Sequence, residues 1–126
     1  MIVLDTHAWI WLNNESDKLS LAAAKAIEAT DIVGVAAISL WEVSMLSAYN
    51  RIELNRPLLP WLRKACDLPN VHVIPLTPEI AATSATLNMH GDPADRLITA
   101  TALVHQCSLV TVDEKITKSG QVTTIW

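Results

Sequence analysis

Four acidic residues stand where they could act together: Asp5, Glu42, Asp95 and Asp113. Asp5 directly follows the apolar run Ile2-Val3-Leu4, and Asp113 directly follows Ser108 to Val112. Glu42 comes a few residues after the apolar Ile32 to Val35, and Asp95 lies just past Asp92-Pro93. Carboxylates gathered at one point are hard oxygen ligands suited to Mg²⁺ or Mn²⁺. Unscreened, they raise one another's pKa, and a divalent ion removes that penalty. Such an ion lowers the pKa of a bound water, stabilises charge on a scissile phosphate and orients the attack. A carboxylate such as Glu42 or Asp95 can also position the water. The residues leave open whether one ion or two is held. No Cys/His set has zinc spacing, and no glycine-rich loop is built to cradle a nucleotide phosphate.

Each acid also has a structural explanation. Asp5 can cap a helix opening at His7. Ser39-Leu40-Trp41-Glu42 fits a capping box, with Ser39 at the N-cap and Glu42 three residues on. Asp92 can cap the helix in which Asp95 occupies the favourable first turn. Asp113 can open a turn. Taken singly, each acid is better explained by structure, so the weight rests on their joint placement.

That placement depends on the elements around them. Ile2-Val3-Leu4, Ile32–Val35, Val71–Ile74, Ser108–Val112 and Gln121–Ile125 read as short strands. Between them, helices are expected at His7–Leu12, Leu19–Ala29 with Ser20 capping, Ser39–Asn50 and Arg56–Cys66. Further helices are expected from Thr77-Pro78-Glu79 to about Leu87 and from Asp92-Pro93 to about Gln106, with a helical turn at Asp113–Thr117. Strands alternating with helices imply a three-layer α/β/α sandwich on a central parallel sheet. The apolar residues within Tyr49 to Cys66 suggest an extra helical hairpin wider than the sheet needs. In such sheets the site lies outside the carboxyl ends of the strands. Asp5, Glu42 and Asp113 follow strands and fall at that edge; Asp95 precedes one, so its helix must present its N-terminus there.

The 126 residues match one domain, 1–126, large enough to bury a core without staples. Half the residues are apolar and only three are glycine, which argues against disorder. The net charge of −4 repels phosphate, an objection that a bound divalent ion softens locally. Cys66 and Cys107 match no redox or metal spacing and read as reduced thiols of a cytoplasmic protein. No run is long enough for a membrane span, and the start lacks a basic, cleavable leader. Five Trp with no Phe point to a buried interface, unless most of them are core residues.

The segments MIVLDTHAWIWL, AAISLWEVSML, HGDPADRLITATAL and LVTVDEKI resemble the PIN-domain family, and most nearly its VapC-type toxins. The likeness runs from Met1 to Trp126 in the family's order and spacing. It implies that Asp5, Glu42, Asp95 (rather than Asp92) and Asp113 are the catalytic and metal-binding acids. It further implies a Mg²⁺- or Mn²⁺-dependent endoribonuclease, usually homodimeric, acting on RNA and held inactive by an antitoxin protein. Val112 stands where the family often has a basic residue, leaving Lys115 and Lys118 as substitutes for phosphate contact.

Thr6, Ser39 and Thr111 adjoin the acids and can orient them through hydroxyls. Thr111 and Asp113 share a side if their strand stays extended. His90 is a candidate for RNA contact or proton transfer, against a plain solvated loop histidine; His7 is expected to pack. Arg96, turned away from Asp95 on the helix, either reaches the RNA backbone or braces an acid. Leu58, Trp61 and Leu62 are candidates for a groove that takes up an amphipathic antitoxin segment. Two other roles fit the same fold: a housekeeping RNA-processing nuclease, and a non-catalytic binding or dimerisation module. A phospho-acceptor form of the latter wants a second acid beside Asp5, where Thr6 and His7 stand.

Overall fold

Ile2, Val3 and Leu4 alternate between two apolar surfaces, as a strand covered on both sides requires. In the computed structural model, which describes residues 1–126, they form β1 (Ile2–Leu4) at the centre of a five-stranded sheet. Its neighbours are β2 (Val33–Ala36), then β3 (Val71–Ile74), on one side, and β4 (Leu109–Val110), then β5 (Thr124–Ile125), on the other. Every pairing is parallel. Ile2 and Leu4 face one core with Val33 and Val35; Val3 faces the other with Ala36 and Leu109.

Helices cover both faces, giving the expected α/β/α sandwich. The first core is closed by α1 (Thr6–Asn13), α2 (Leu21–Ala29), α3 (Ala37–Ala48) and α4 (Leu58–Cys66). The second is closed by α5 (Pro78–Thr86), α6 (Pro93–Val104) and α7 (Glu114–Ser119). The caps are those the sequence announces. Ser20 accepts from the Ala23 amide at 3.1 Å and Thr77 from the Ile80 amide at 3.2 Å, with Pro78 in the first turn. Gly120 stops α7 at φ +67°, the left-handed conformation that favours glycine.

Two corrections concern places where tertiary contacts override local signals. Ser39 does not cap α3. The helix leaves β2 directly at Ala36, so Ser39 lies inside it, fully buried, and accepts a hydrogen bond from Thr6 Oγ1 at 3.1 Å. The last two strands are shorter than expected, because Thr111 turns its hydroxyl toward Asp5 and Gln121 folds back onto Ser119.

Trp61 is a core residue rather than a groove residue. It is 2% exposed, packs edge-on against the buried Trp9 with ring centroids 5.2 Å apart, and donates through Nε1 to Asn14 at 2.9 Å. It pins α4 to α1 and is unavailable to a partner. Leu58 and Leu62 rest half-buried against the same core, while Leu59 is the exposed apolar residue of α4. Of the five Trp, only Trp9 and Trp61 are buried.

Candidate active site

From β1 the chain steps outward to β2 and β3, then crosses back to lay β4 on the other side of β1. The reversal lies between β1 and β4, where crevices form at the carboxyl edge of open parallel sheets. Asp5 leaves β1 and Asp113 leaves β4 at this point. Glu42 enters from the second turn of α3, and Asp95 from the first turn of α6. The four acids, with Asp92, line one cavity of about 460 Å³.

The capping roles expected of the acids are present together with this convergence. Asp5 is the N-cap of α1: Oδ1 accepts from the Ala8 amide at 2.8 Å, and Oδ2 accepts from Thr111 Oγ1 at 2.5 Å. Asp113 is the N-cap of α7, with one oxygen accepting from the Lys115 and Ile116 amides at 2.8 and 3.2 Å. Asp92 caps α6 by accepting from the Asp95 amide at 3.0 Å. Capping fixes the backbone and one oxygen of Asp5 and Asp113, so fold and site use the same residues. Thr111 joins the two, since its Oγ1 also accepts from the Asp113 amide at 3.0 Å. The strand has ended by then, so a turn links them rather than extended geometry.

His90 is more than a solvated loop residue. Its Nε2 lies 2.8 Å from Asp95 Oδ2. Arg96 does not brace an acid and is not free for RNA. Its guanidinium donates to four carbonyls, of Ser84 at 3.1 Å, Leu87 at 2.9 Å, Met89 at 2.8 Å and His90 at 3.3 Å. It closes the turn between α5 and α6 that delivers Asp95. Lys115 is exposed beside the Asp113 cap, Lys118 is paired with Glu114, and the exposed Val112 lines the cavity itself.

Two further residues line the cavity, His7 and Trp11. His7 is exposed on the cavity wall instead of packed, and Trp11 lies beside it. The signal was their separation of four residues on the helix that Asp5 opens, which puts both on one face. The position of Asp95 was also legible. The helix before β4 must end at that strand's amino edge, so it begins at the opposite one.

The acids bear the electrostatic mark of crowding. Burial pushes the Asp5 carboxyl above its usual range, only partly offset by the bonds from Thr111 and Ala8. Glu42 is raised by burial and then by the charges of Asp95 and Asp92, against the favourable Thr6 hydroxyl. Asp95 is raised by burial and by Asp92 and Asp113, against the bond from His90.

Residues 2–120 match the PIN domain. The chain belongs to the PIN-domain family. It is 40% identical to Ribonuclease VapC22 of Mycobacterium tuberculosis, over 99% of this chain and 98% of that protein. Its fold matches a toxin–antitoxin complex from Klebsiella pneumoniae (TM-score 0.69, 22% identity, 98% of this chain and 97% of that one). It also matches VapBC2 of Rickettsia felis bound to a promoter DNA fragment (TM-score 0.70, 15% identity, 98% and 97%).

The donor set of this PIN domain suits a hard divalent cation: all carboxylate oxygens, half-buried or buried, with the Asp5, Glu42 and Asp95 carboxyls raised in a way that a cation would relieve. As the side chains lie, no three acids are set around one common ion position. Asp5 and Asp113 face their capping amides and Asp95 faces His90. The residues fit such an ion in chemistry, and Asp95 would share it with His90 or leave His90 for it.

Proposed function

We propose that this PIN-domain protein is a divalent-metal-dependent endoribonuclease that hydrolyses RNA phosphodiester bonds as the toxin of a toxin–antitoxin pair. The observation that carries the proposal is the meeting of Asp5, Glu42, Asp95 and Asp113, from four separate elements, in one cavity at the sheet's reversal point. The near full-length likeness to a protein named a ribonuclease supports RNA as the substrate.

In this reading the four acids hold Mg²⁺ or Mn²⁺, which when bound screens their repulsion and stabilises charge on the phosphate. Asp5 is the most firmly held, between the Ala8 amide and Thr111. Glu42 is freer, since it caps no helix, and is the carboxylate that takes the proton from an attacking water. Thr6 has one proton to give, so its bond to Ser39 competes with support of Glu42. His90 orients Asp95.

An antitoxin protein is the expected partner, docking on surface other than Trp61. A homodimer is supported by a groove of about 640 Å³ beside the acids, lined by Trp41, Met45, Leu46 and Tyr49. Trp41 is 57% and Tyr49 68% exposed, an unusual outlay of aromatic surface for a monomer. No helix is long and apolar enough to cross a membrane, and the cytoplasm is the proposed compartment.

The test is cleavage of single-stranded RNA by antitoxin-free protein across a metal series. Activity should require Mg²⁺ or Mn²⁺ and fall by about 100-fold or more in Asp5→Asn and Asp95→Asn. No cleavage with either ion, together with no calorimetric signal on metal titration, would overturn the proposal.

A further inference from the structure

Trp11 is not used by the four acids, and it is not part of the buried core as Trp9 and Trp61 are. It lines the acidic cavity, half-buried, between two other rings. The His7 ring lies 5.7 Å away on the acid side, tilted by 54°, and the Trp126 ring 5.6 Å away on the other, tilted by 55°. Lys18 places its ammonium 6.0 Å from the centre of a Trp11 ring. A row of aromatic rings therefore starts at the acids and runs outward from them, with a cation over its middle ring.

We propose that Trp11, flanked by His7 and Trp126, is the surface on which a base of single-stranded RNA stacks next to the scissile phosphate. The inference rests on the ribonuclease reading and adds how the strand is gripped. The chain carries −4 overall, and its site is acidic, so general attraction to phosphate cannot supply the affinity. Stacking can, because every base has a flat face and the energy does not depend on net charge. Lys18 lies over the ring as a cation on its face, and its exposed, flexible stem lets the ammonium move off that face to meet the phosphate of a stacked nucleotide. The row opens directly into the cavity that would hold the cleaved bond, so one strand can occupy both.

The test uses the full-length chain carrying Glu42→Gln, which loses the proton acceptor but keeps three of the four acids for the ion, so that RNA is bound without being cut. With Mg²⁺ present, its affinity is measured for oligouridylate and for a ribose-phosphate strand of equal length lacking bases. Adding Trp11→Leu should weaken oligouridylate binding by roughly 5- to 150-fold, the range of one lost stack, and leave the abasic strand unaffected. Trp11→Phe, which keeps a ring, should recover most of the loss and controls for misfolding. Equal losses on both strands, no loss on either, or a Trp11→Phe as weak as Trp11→Leu overturns the proposal. So does a Trp11→Leu protein that binds RNA normally but has lost its antitoxin, which would make the row a protein contact. If the parent binds neither strand, the ribonuclease reading falls as well; if wild type cleaves RNA while Trp11→Leu binds it unchanged, only the stacking site falls.

Discussion

Asp95 shows how one residue can serve a helix and a site at conflicting cost. In the first turn of α6 its charge is favoured by the helix dipole, a term of about 0.3–1 kcal/mol. Against that stand burial and the nearby charges of Asp92 and Asp113. The second set dominates, because the carboxyl is raised rather than lowered. Asp95→Asn should therefore raise the melting temperature of metal-free protein by a few degrees, on the order of 1 kcal/mol, while removing RNA cleavage. A clear fall in melting temperature would instead make Asp95 chiefly a helix-start residue. The same crowding sets a pH dependence. Asp5, Glu42 and Asp95 all bind protons more tightly folded than unfolded. Their contribution to stability is thus lost as pH rises from the ordinary carboxylate range, about 4, through their raised values. In EDTA, unfolding titrations taken upward from about pH 4 should show this loss, and the fall should be shallower in Asp95→Asn. Added Mg²⁺ should restore stability at the upper end of that range by binding the folded state alone.

At the scale of elements, the turn between α5 and α6 decides where Asp95 stands, and Arg96 holds that turn. Its planar fork reaches four carbonyls that a shorter or single-point donor cannot serve together. Arg96→Ala should cost about 2–4 kcal/mol, lowering the melting temperature by of order 10 °C, and Arg96→Lys should recover little of it. Calorimetry on the three proteins checks this, and cleavage should fall in parallel because Asp95 loses its anchor. The elements themselves were largely legible. Their alternation, their caps at Ser20, Thr77 and Asp92, and their positions relative to Asp5 and Asp113 all follow from local chemistry. What escaped was decided at long range. Ser39 looks like a cap only until Ala36 starts the helix early, and Arg96 looks free until a loop folds over it. Trp61 looks like a surface anchor on an amphipathic helix until Trp9 meets it across the core. In each case the deciding neighbour is distant in sequence or hidden in a loop with no periodicity of its own.

The whole molecule poses a last electrostatic question: how a chain of net charge −4 binds a polyanion. Its nine basic residues are mostly spread away from the cavity or already engaged. Arg96 is committed to carbonyls and Lys118 to Glu114, which leaves Lys18, Arg51 and Lys115 near the acids or the adjoining groove. Two or three phosphate contacts to a single strand would give a slope of log affinity against log salt of roughly −1.4 to −2.1. Proteins that hold nucleic acid by a basic surface show several times that. We therefore expect RNA binding by the Glu42→Gln protein, which keeps Asp5, Asp95 and Asp113 for the ion, to depend weakly on monovalent salt at fixed Mg²⁺ and strongly on Mg²⁺ itself. Affinities from about 50 to 300 mM KCl, repeated with and without Mg²⁺, measure both. A steep salt slope that ignores Mg²⁺ would mean that a basic surface, on this chain or completed by a second copy, does the binding. A shallow slope with strong Mg²⁺ dependence fits a site in which aromatic rings hold the bases and the ion lets a phosphate approach the carboxylates.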